Sequence, residues 1–248
     1  MSFWGEPGAA FHVTTQGDVL TMPDISHDHF IAPAAWLRSP IGLGWAAVAG
    51  LGAVIATDLF AVWADVVLYD VSGDLASGAQ LGERAERADR LYSFAGTAQT
   101  VALLTTAVLF LCWFHRVRVN AEVFQPLGHT KKRGWAIGGW FVPVVNLWFP
   151  RRITLDIWDA SSPWGARRPH GLVNTWWTFW VLSLLSGRAA STANRKADSA
   201  EEMHEAVGQM LFSDVVDVAA AALAIAVVLR LTRMQHAKAL QGPVPLPV

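Results

Sequence analysis

Trp140-Phe141-Val142-Pro143-Val144-Val145-Asn146-Leu147-Trp148-Phe149-Pro150 decides how this chain is read. The run is apolar enough to enter a bilayer. It also carries two prolines and an amide, which a plain spanning helix would avoid. Irregular backbone at membrane depth survives only where protein or a water-filled cavity satisfies its polar groups. The stretch therefore predicts an integral membrane protein with one broken or re-entrant element. The composition agrees: 53% of the 248 residues are hydrophobic and 16% charged, against about a quarter charged in an average soluble domain.

Four longer apolar runs flank this element. Ile41–Leu68 reads as the first crossing and is rich in small residues. Its pairs Ala46/Gly50 and Ala49/Ala53 would let a neighbouring helix approach closely. Tyr69-Asp70 and Gly73-Asp74 predict its end, with a solvated loop up to Arg90. Leu91–Phe114 is the second crossing, Leu172–Gly187 the third and Leu211–Leu231 the fourth. Ala189–Met210 is polar and helical in pattern. Pro150 suits the first turn of a helix over Arg151–Ser161. There Ile153, Ile157 and Ala160 share one face and Arg152 and Asp156 can pair at i,i+4, which predicts an amphipathic helix along the interface.

Residues 1–40 read as a polar N-terminal arm and 232–248 as a basic, Pro-rich tail, leaving 41–231 as the membrane domain. The opening residues lack an early apolar stretch and carry Glu6, Asp18, Asp24 and Asp28, so insertion is expected to use the first crossing rather than a cleaved leader. Lys and Arg collect in cytoplasmic loops. If 134–150 does not cross, Arg116, Arg118, Lys131, Lys132, Arg133, Arg151, Arg152, Arg167, Arg168, Arg230, Arg233 and Lys238 all share one side. The expected fold is thus an all-α integral membrane protein. It is a small bundle of four transmembrane helices, both termini cytoplasmic, with a broken or re-entrant segment and an amphipathic interface helix.

Three strings carry a family resemblance: Arg116-x-Arg118-x-Asn120-Ala121, Gly139 through Pro150, and Ile157-Trp158-x-Ala160-Ser161. With them the chain resembles the DUF4328 domain of actinobacterial membrane proteins, over roughly Ile41 to Leu231. The resemblance implies a small polytopic protein of the bacterial plasma membrane. It brings no catalytic residues, so function must be sought in the residues themselves.

Ionisable groups inside spanning helices are costly and mark function by default. Asp58 lies about 25 Å along the first helix at 1.5 Å per residue, and Asp65 is seven residues further on the same face. Asp214 and Asp217 open the last crossing. The four-crossing topology brings Thr97, Gln99 and Thr100 of the second helix, and Ser183 and Ser186 of the third, to a similar depth. Arg188 follows just beyond. Two readings stay open for the acids: interhelical hydrogen bonding, or a functional site with Asp58 as proton donor and Asp65, Asp214 and Asp217 in support.

The chain has 13 Trp and 12 Phe against 2 Tyr. Trp36, Trp135, Trp148, Trp158 and Trp164 fit an interfacial belt. Trp63, Trp176, Trp177 and Trp180 fall within crossings and could wall a pocket with Thr97, Gln99, Thr100 and Ser183. An acid-headed, indole-walled pocket suits an apolar or isoprenoid-type ligand, or acid-initiated cyclisation or isomerisation of the terpene-cyclase kind. The rival reading is a non-catalytic scaffold or regulatory subunit. Its basic surface of Lys131, Lys132, Arg133, Arg151 and Arg152 would meet anionic lipid head groups.

Other signals are weaker. Net charge is −1, so no global field favours nucleic acid. His27-Asp28-His29 lacks further ligands at a metal-binding spacing, His115 has no second histidine on its helix, and no metal or cofactor is expected. Cys112 reads as a small core residue. Asn146 is expected to bond backbone groups freed by Pro143. No P-loop, GxSxG, HExxH or CxxC arrangement occurs.

Overall fold

The computed structural model describes residues 37–76, 82–163 and 169–241. Their secondary structure is helical throughout: α1 (Ile41–Ala76), α2 (Gly82–Phe124), α3 (Trp135–Gly138), a 3-10 turn (Val145–Leu147), α4 (Phe149–Ser161), α5 (Gly171–Lys196) and α6 (Ala200–Leu240). The expectations for His27-Asp28-His29, Trp36, Trp164, Arg167, Arg168 and the final seven residues lie outside the described residues.

Among the described residues, α1, α2 and α6 are long and apolar enough to cross a membrane. They have 36, 43 and 41 residues, about 54, 64 and 62 Å at 1.5 Å per residue. That is roughly twice a hydrocarbon core of about 30 Å, so each helix runs well past its apolar run. The predicted ends are corrected accordingly. α1 passes Tyr69-Asp70 because tertiary contacts take over: Arg84 on α2 bonds Asp70 at 2.7 Å and Asp74 at 3.1 Å, and Tyr69 stacks on His204 of α6 at 3.8 Å. α6 begins at a capping box, with Ser199 Oγ accepting from the Glu202 amide and Glu202 accepting from the Asp198 amide. It continues through 232–240, which is therefore helix rather than tail.

α1 packs between α2 and α6, and α5 packs on α6. Close approach occurs where a glycine faces a threonine. A Cβ on Gly44 would meet Thr232 at 2.7 Å, and one on Gly50 would meet Thr106 at 2.9 Å. Of the two small-residue pairs, only Ala46/Gly50 lies at such a contact; Ala49 and Ala53 are exposed. Cys112 is exposed as well, on the outside of α2 rather than in the core.

One end of the bundle carries most of the basic residues and is called here the basic end. α4 lies there, against α2, α5 and α6. It keeps its amphipathic pattern and its Arg152–Asp156 pair at 3.6 Å. Nine of its thirteen residues are nevertheless buried, so it fills the bundle end instead of lying on a surface. The core around it contains Trp113, Phe114, Val117, Ile153, Ile157, Val173, Val228 and Leu231.

The broken element docks into this core through Trp140. Its ring makes edge contacts with Phe110, Phe114 and Trp180 at 5.5, 5.8 and 5.5 Å. After Pro143 the backbone turns at Val144, whose φ of +67° is a strained value for a β-branched residue. The freed groups are met by backbone bonds, Asn146 N to Val142 O at 3.0 Å and Leu147 N to Val144 O at 3.0 Å. Trp177 Nε1 donates to the Leu147 carbonyl at 3.0 Å. The Asn146 side chain does not take the bridging role expected of it.

Candidate functional site

A cluster of acids occupies the half of the bundle away from the basic end. Asp58 and Asp65 project from one face of α1 and are 4% and 2% exposed. Asp214 and Asp217 come from the first apolar turns of α6. Gln99 of α2 joins the two helices: its Nε2 donates to Asp58 Oδ1 at 3.1 Å and to Asp214 Oδ1 at 3.1 Å. Asp65 and Asp214 lie close enough to interact across the α1–α6 contact, and Asp217 lies near Ser183 of α5. Asp58 Oδ2 and Asp65 Oδ2 are buried with no hydrogen-bond partner. A buried acceptor without a donor is costly to keep, so these two oxygens invite a proton or a donor group.

The cluster joins α1, α2, α5 and α6, but several residues expected in it lie elsewhere. Thr97 and Thr100 are exposed, and their hydroxyls bond back to Ser93 O and Gly96 O. Trp63 is 51% exposed and points away from the bundle. Trp176, Trp177 and Trp180 pack with Trp140 in the aromatic core, with Trp177 and Trp180 stacked at 4.5 Å. They fill space rather than wall a cavity around Asp58. Arg188, just beyond the serines of α5, is exposed and makes no ion pair among the described residues. Ser186 bonds Ser213 at 3.3 Å. Tyr92 was not anticipated. It lies near Asp65 and Asp214, and its hydroxyl meets Met210 Sδ at 3.2 Å. It sits about two turns before Gln99 on α2, where sequence pattern alone gives no partner.

The basic surface is mostly engaged within the protein. Lys131 sits over the Phe149 ring at 4.2 Å, Arg133 pairs with Glu122, and Arg151 donates to Asn174 at 2.8 Å. Arg152 pairs with Asp156, and Lys132 is exposed. Beneath this surface is a network that sequence reasoning did not assemble. Arg118, 2% exposed, donates to Glu122 at 2.8 Å and to the Lys131 carbonyl at 2.8 Å. Asn120 donates to the Arg38 carbonyl at 2.8 Å and to Gln235 at 3.1 Å. Gln235 in turn donates to the Val117 carbonyl at 2.8 Å and to Ser161 Oγ at 3.1 Å. In the loop above, both ring nitrogens of His129 are buried. Burial and then the Arg118 charge push that imidazole below its ordinary range. Among the described residues no group of three His, Cys, Asp or Glu side chains is arranged to hold a metal ion.

Three of these residues belong to the sequence strings singled out above. Arg118 and Asn120 belong to the first and Ser161 to the third, while Trp140 of the second anchors the aromatic core. A family model for a domain of unknown function, DUF4328, matches residues 76–233. The match starts where α1 ends, later than the Ile41 start read from the strings. No curated protein and no solved structure matches the chain. With the family model covering more than half of its length, the chain belongs to the DUF4328 family.

Proposed function

We propose that this protein binds the hydrogen-bond-donating head of an apolar, isoprenoid-type molecule at the carboxyl cluster between α1, α2 and α6. The observation that carries the reading is the pair of buried, unpartnered oxygens, Asp58 Oδ2 and Asp65 Oδ2. A hydroxyl or amine on the ligand would satisfy them, and its chain would run out between helices into lipid. In this reading α5, 26 residues and about 39 Å long, is a fourth crossing beside the three apolar helices. Residues 134–150 dip into the bilayer without crossing it. The basic end then faces the cytoplasm, as the charge rule prefers, and the protein resides in the bacterial plasma membrane.

Acid-initiated cyclisation is the catalytic form of the same site, with a neutral Asp58 as proton donor. It lacks the indole walls such cations need, because Trp63 points outward and Trp176, Trp177 and Trp180 pack elsewhere. Binding therefore stands ahead of catalysis. The scaffold reading is weaker still, since Lys131, Arg133, Arg151 and Arg152 are already engaged.

The test compares wild type with Asp58→Asn and Asp65→Asn by mass spectrometry. Both the molecules co-purifying with each protein and the lipid extracts of expressing cells are measured. An apolar molecule retained by wild type and lost from either variant, at unchanged thermal stability, is expected. Identical profiles from all three proteins would overturn the reading.

A further inference from the structure

A concavity lies at the basic end of the molecule, away from the acids. Its volume is about 390 Å³, within the range of small-molecule sites. One wall is the last turns of α6, with Arg230, Arg233, Met234 and Lys238 at helical spacing. The other is Trp158 and Ser162 at the end of α4. No acid lines it. Asp159, next to Trp158 in the chain, is already bonded to His170 at 2.7 Å.

The charges differ in their commitments. Lys238 is buried and donates to the Ala160 and Ser162 carbonyls, both at 2.8 Å, so it closes the C-terminus of α4. Arg230 and Arg233 are exposed, three residues apart, and form no ion pair or hydrogen bond among the described residues. Two uncommitted guanidinium groups on one face of a concavity make a fork for phosphate oxygens. They stand where the apolar run of α6 ends at Leu231, the level at which a lipid head group meets its chains. Trp158 and Met234 offer apolar surface beside them.

We propose that this groove binds the phosphate of an anionic phospholipid head group, held by Arg230 and Arg233. The phosphate is the recognised chemistry, and the position at the end of the apolar run selects lipid over a soluble ester.

The test uses full-length protein purified in detergent and native mass spectrometry. Phosphatidylglycerol and phosphatidylcholine of identical chains are offered to wild type, to Arg230→Gln/Arg233→Gln, and to Arg116→Gln/Lys132→Gln, which removes the same charge elsewhere at the basic end. Wild type should retain phosphatidylglycerol preferentially. The groove variant should lose about thirtyfold in affinity, from the usual contribution of two basic residues near anionic lipid, and the control variant should lose far less. A parallel arm titrates sn-glycerol 3-phosphate and follows the melting temperature. Arginine-dependent stabilisation by that compound would support the phosphate site and assign it a soluble ligand. Equal retention of both lipids by wild type, or equal losses in the two variants, would overturn the proposal. Unchanged melting temperatures in both variants show that folding is intact.

Discussion

Gln99→Leu is the sharpest perturbation of the acid cluster. Gln99 ties α2 to both acid-bearing helices within the cluster, through one bond to Asp58 and one to Asp214, each 3.1 Å. Leucine matches its volume and lacks its donors. Interhelical hydrogen bonds in membranes average about 0.6 kcal/mol and reach about 1.7. Two lost bonds therefore predict about 1–3 kcal/mol of destabilisation. The upper part of the range applies because Asp58 would then have neither oxygen bonded, its Oδ2 being unpartnered already. The assay is equilibrium unfolding of the purified protein in mixed micelles of rising SDS content, followed by tryptophan fluorescence. A double-mutant cycle with Asp58→Leu isolates one bond and should give a coupling near 0.6 kcal/mol. A cycle with Asp214→Leu should give a similar value. If Gln99→Leu cost less than about 0.3 kcal/mol and neither cycle showed coupling, the cluster would not be joined by Gln99 and the argument from its unpartnered oxygens would fail with it.

Two further outcomes follow from particular contacts. Gly50→Ala should destabilise by about 1–3 kcal/mol, the usual overpacking cost, since its Cβ would lie 2.9 Å from Thr106 Oγ1 and 3.3 Å from Thr106 Cα. Gly52→Ala, with nothing within 4 Å, should instead stabilise by up to about 1 kcal/mol through helix propensity; the same unfolding assay reads both signs. His129 gives a pH dependence. Its ring is held below its ordinary range when folded, so the unfolded chain takes up the proton first as pH falls. Its contribution to stability is fully present above the ordinary imidazole pKa of about 6.5 and is lost as pH drops from there toward the folded value. The melting temperature of wild type, relative to His129→Gln, should fall between pH 7.5 and 5.5, and parallel curves would refute this.

The helical class, the broken element and the acids were legible because each violates or obeys a strong rule. A proline pair in an apolar run, a carboxylate in a span and a Pro150 start to α4 all have few alternative explanations. Element ends were not legible. Tyr69-Asp70 looks like a stop, yet Arg84 pairs with Asp70 and Asp74 and the helix continues. Side-chain direction was lost as well. Thr97 and Gln99 are two apart on one helix, so they cannot share a face; depth alone grouped them, and only Gln99 turns inward. The tryptophans misled for a related reason. Their place in a crossing fixes depth, not whether a pocket or another indole lies opposite, and Trp140 supplies the latter.

The bounds of the family match sharpen what each experiment can mean. Residues 76–233 contain Gln99, Asp214, Asp217, Trp140, Arg118, Asn120 and Ser161, but not the body of α1. Asp58 and Asp65, which own the two unpartnered oxygens, lie in α1. The bonds at the basic end draw Arg118, Asn120 and Ser161 from the matched residues but are closed by Gln235 and the Arg38 carbonyl outside them, and the acid cluster is likewise completed by a helix outside the match. If Asp58→Asn and Asp65→Asn abolish ligand retention while an Asp214→Asn variant retains it, the binding chemistry belongs to the α1 side and speaks for this chain. If Asp214→Asn abolishes it equally, the matched domain itself carries half of the site, and the acid pair across the α1–α6 seam is the unit that works.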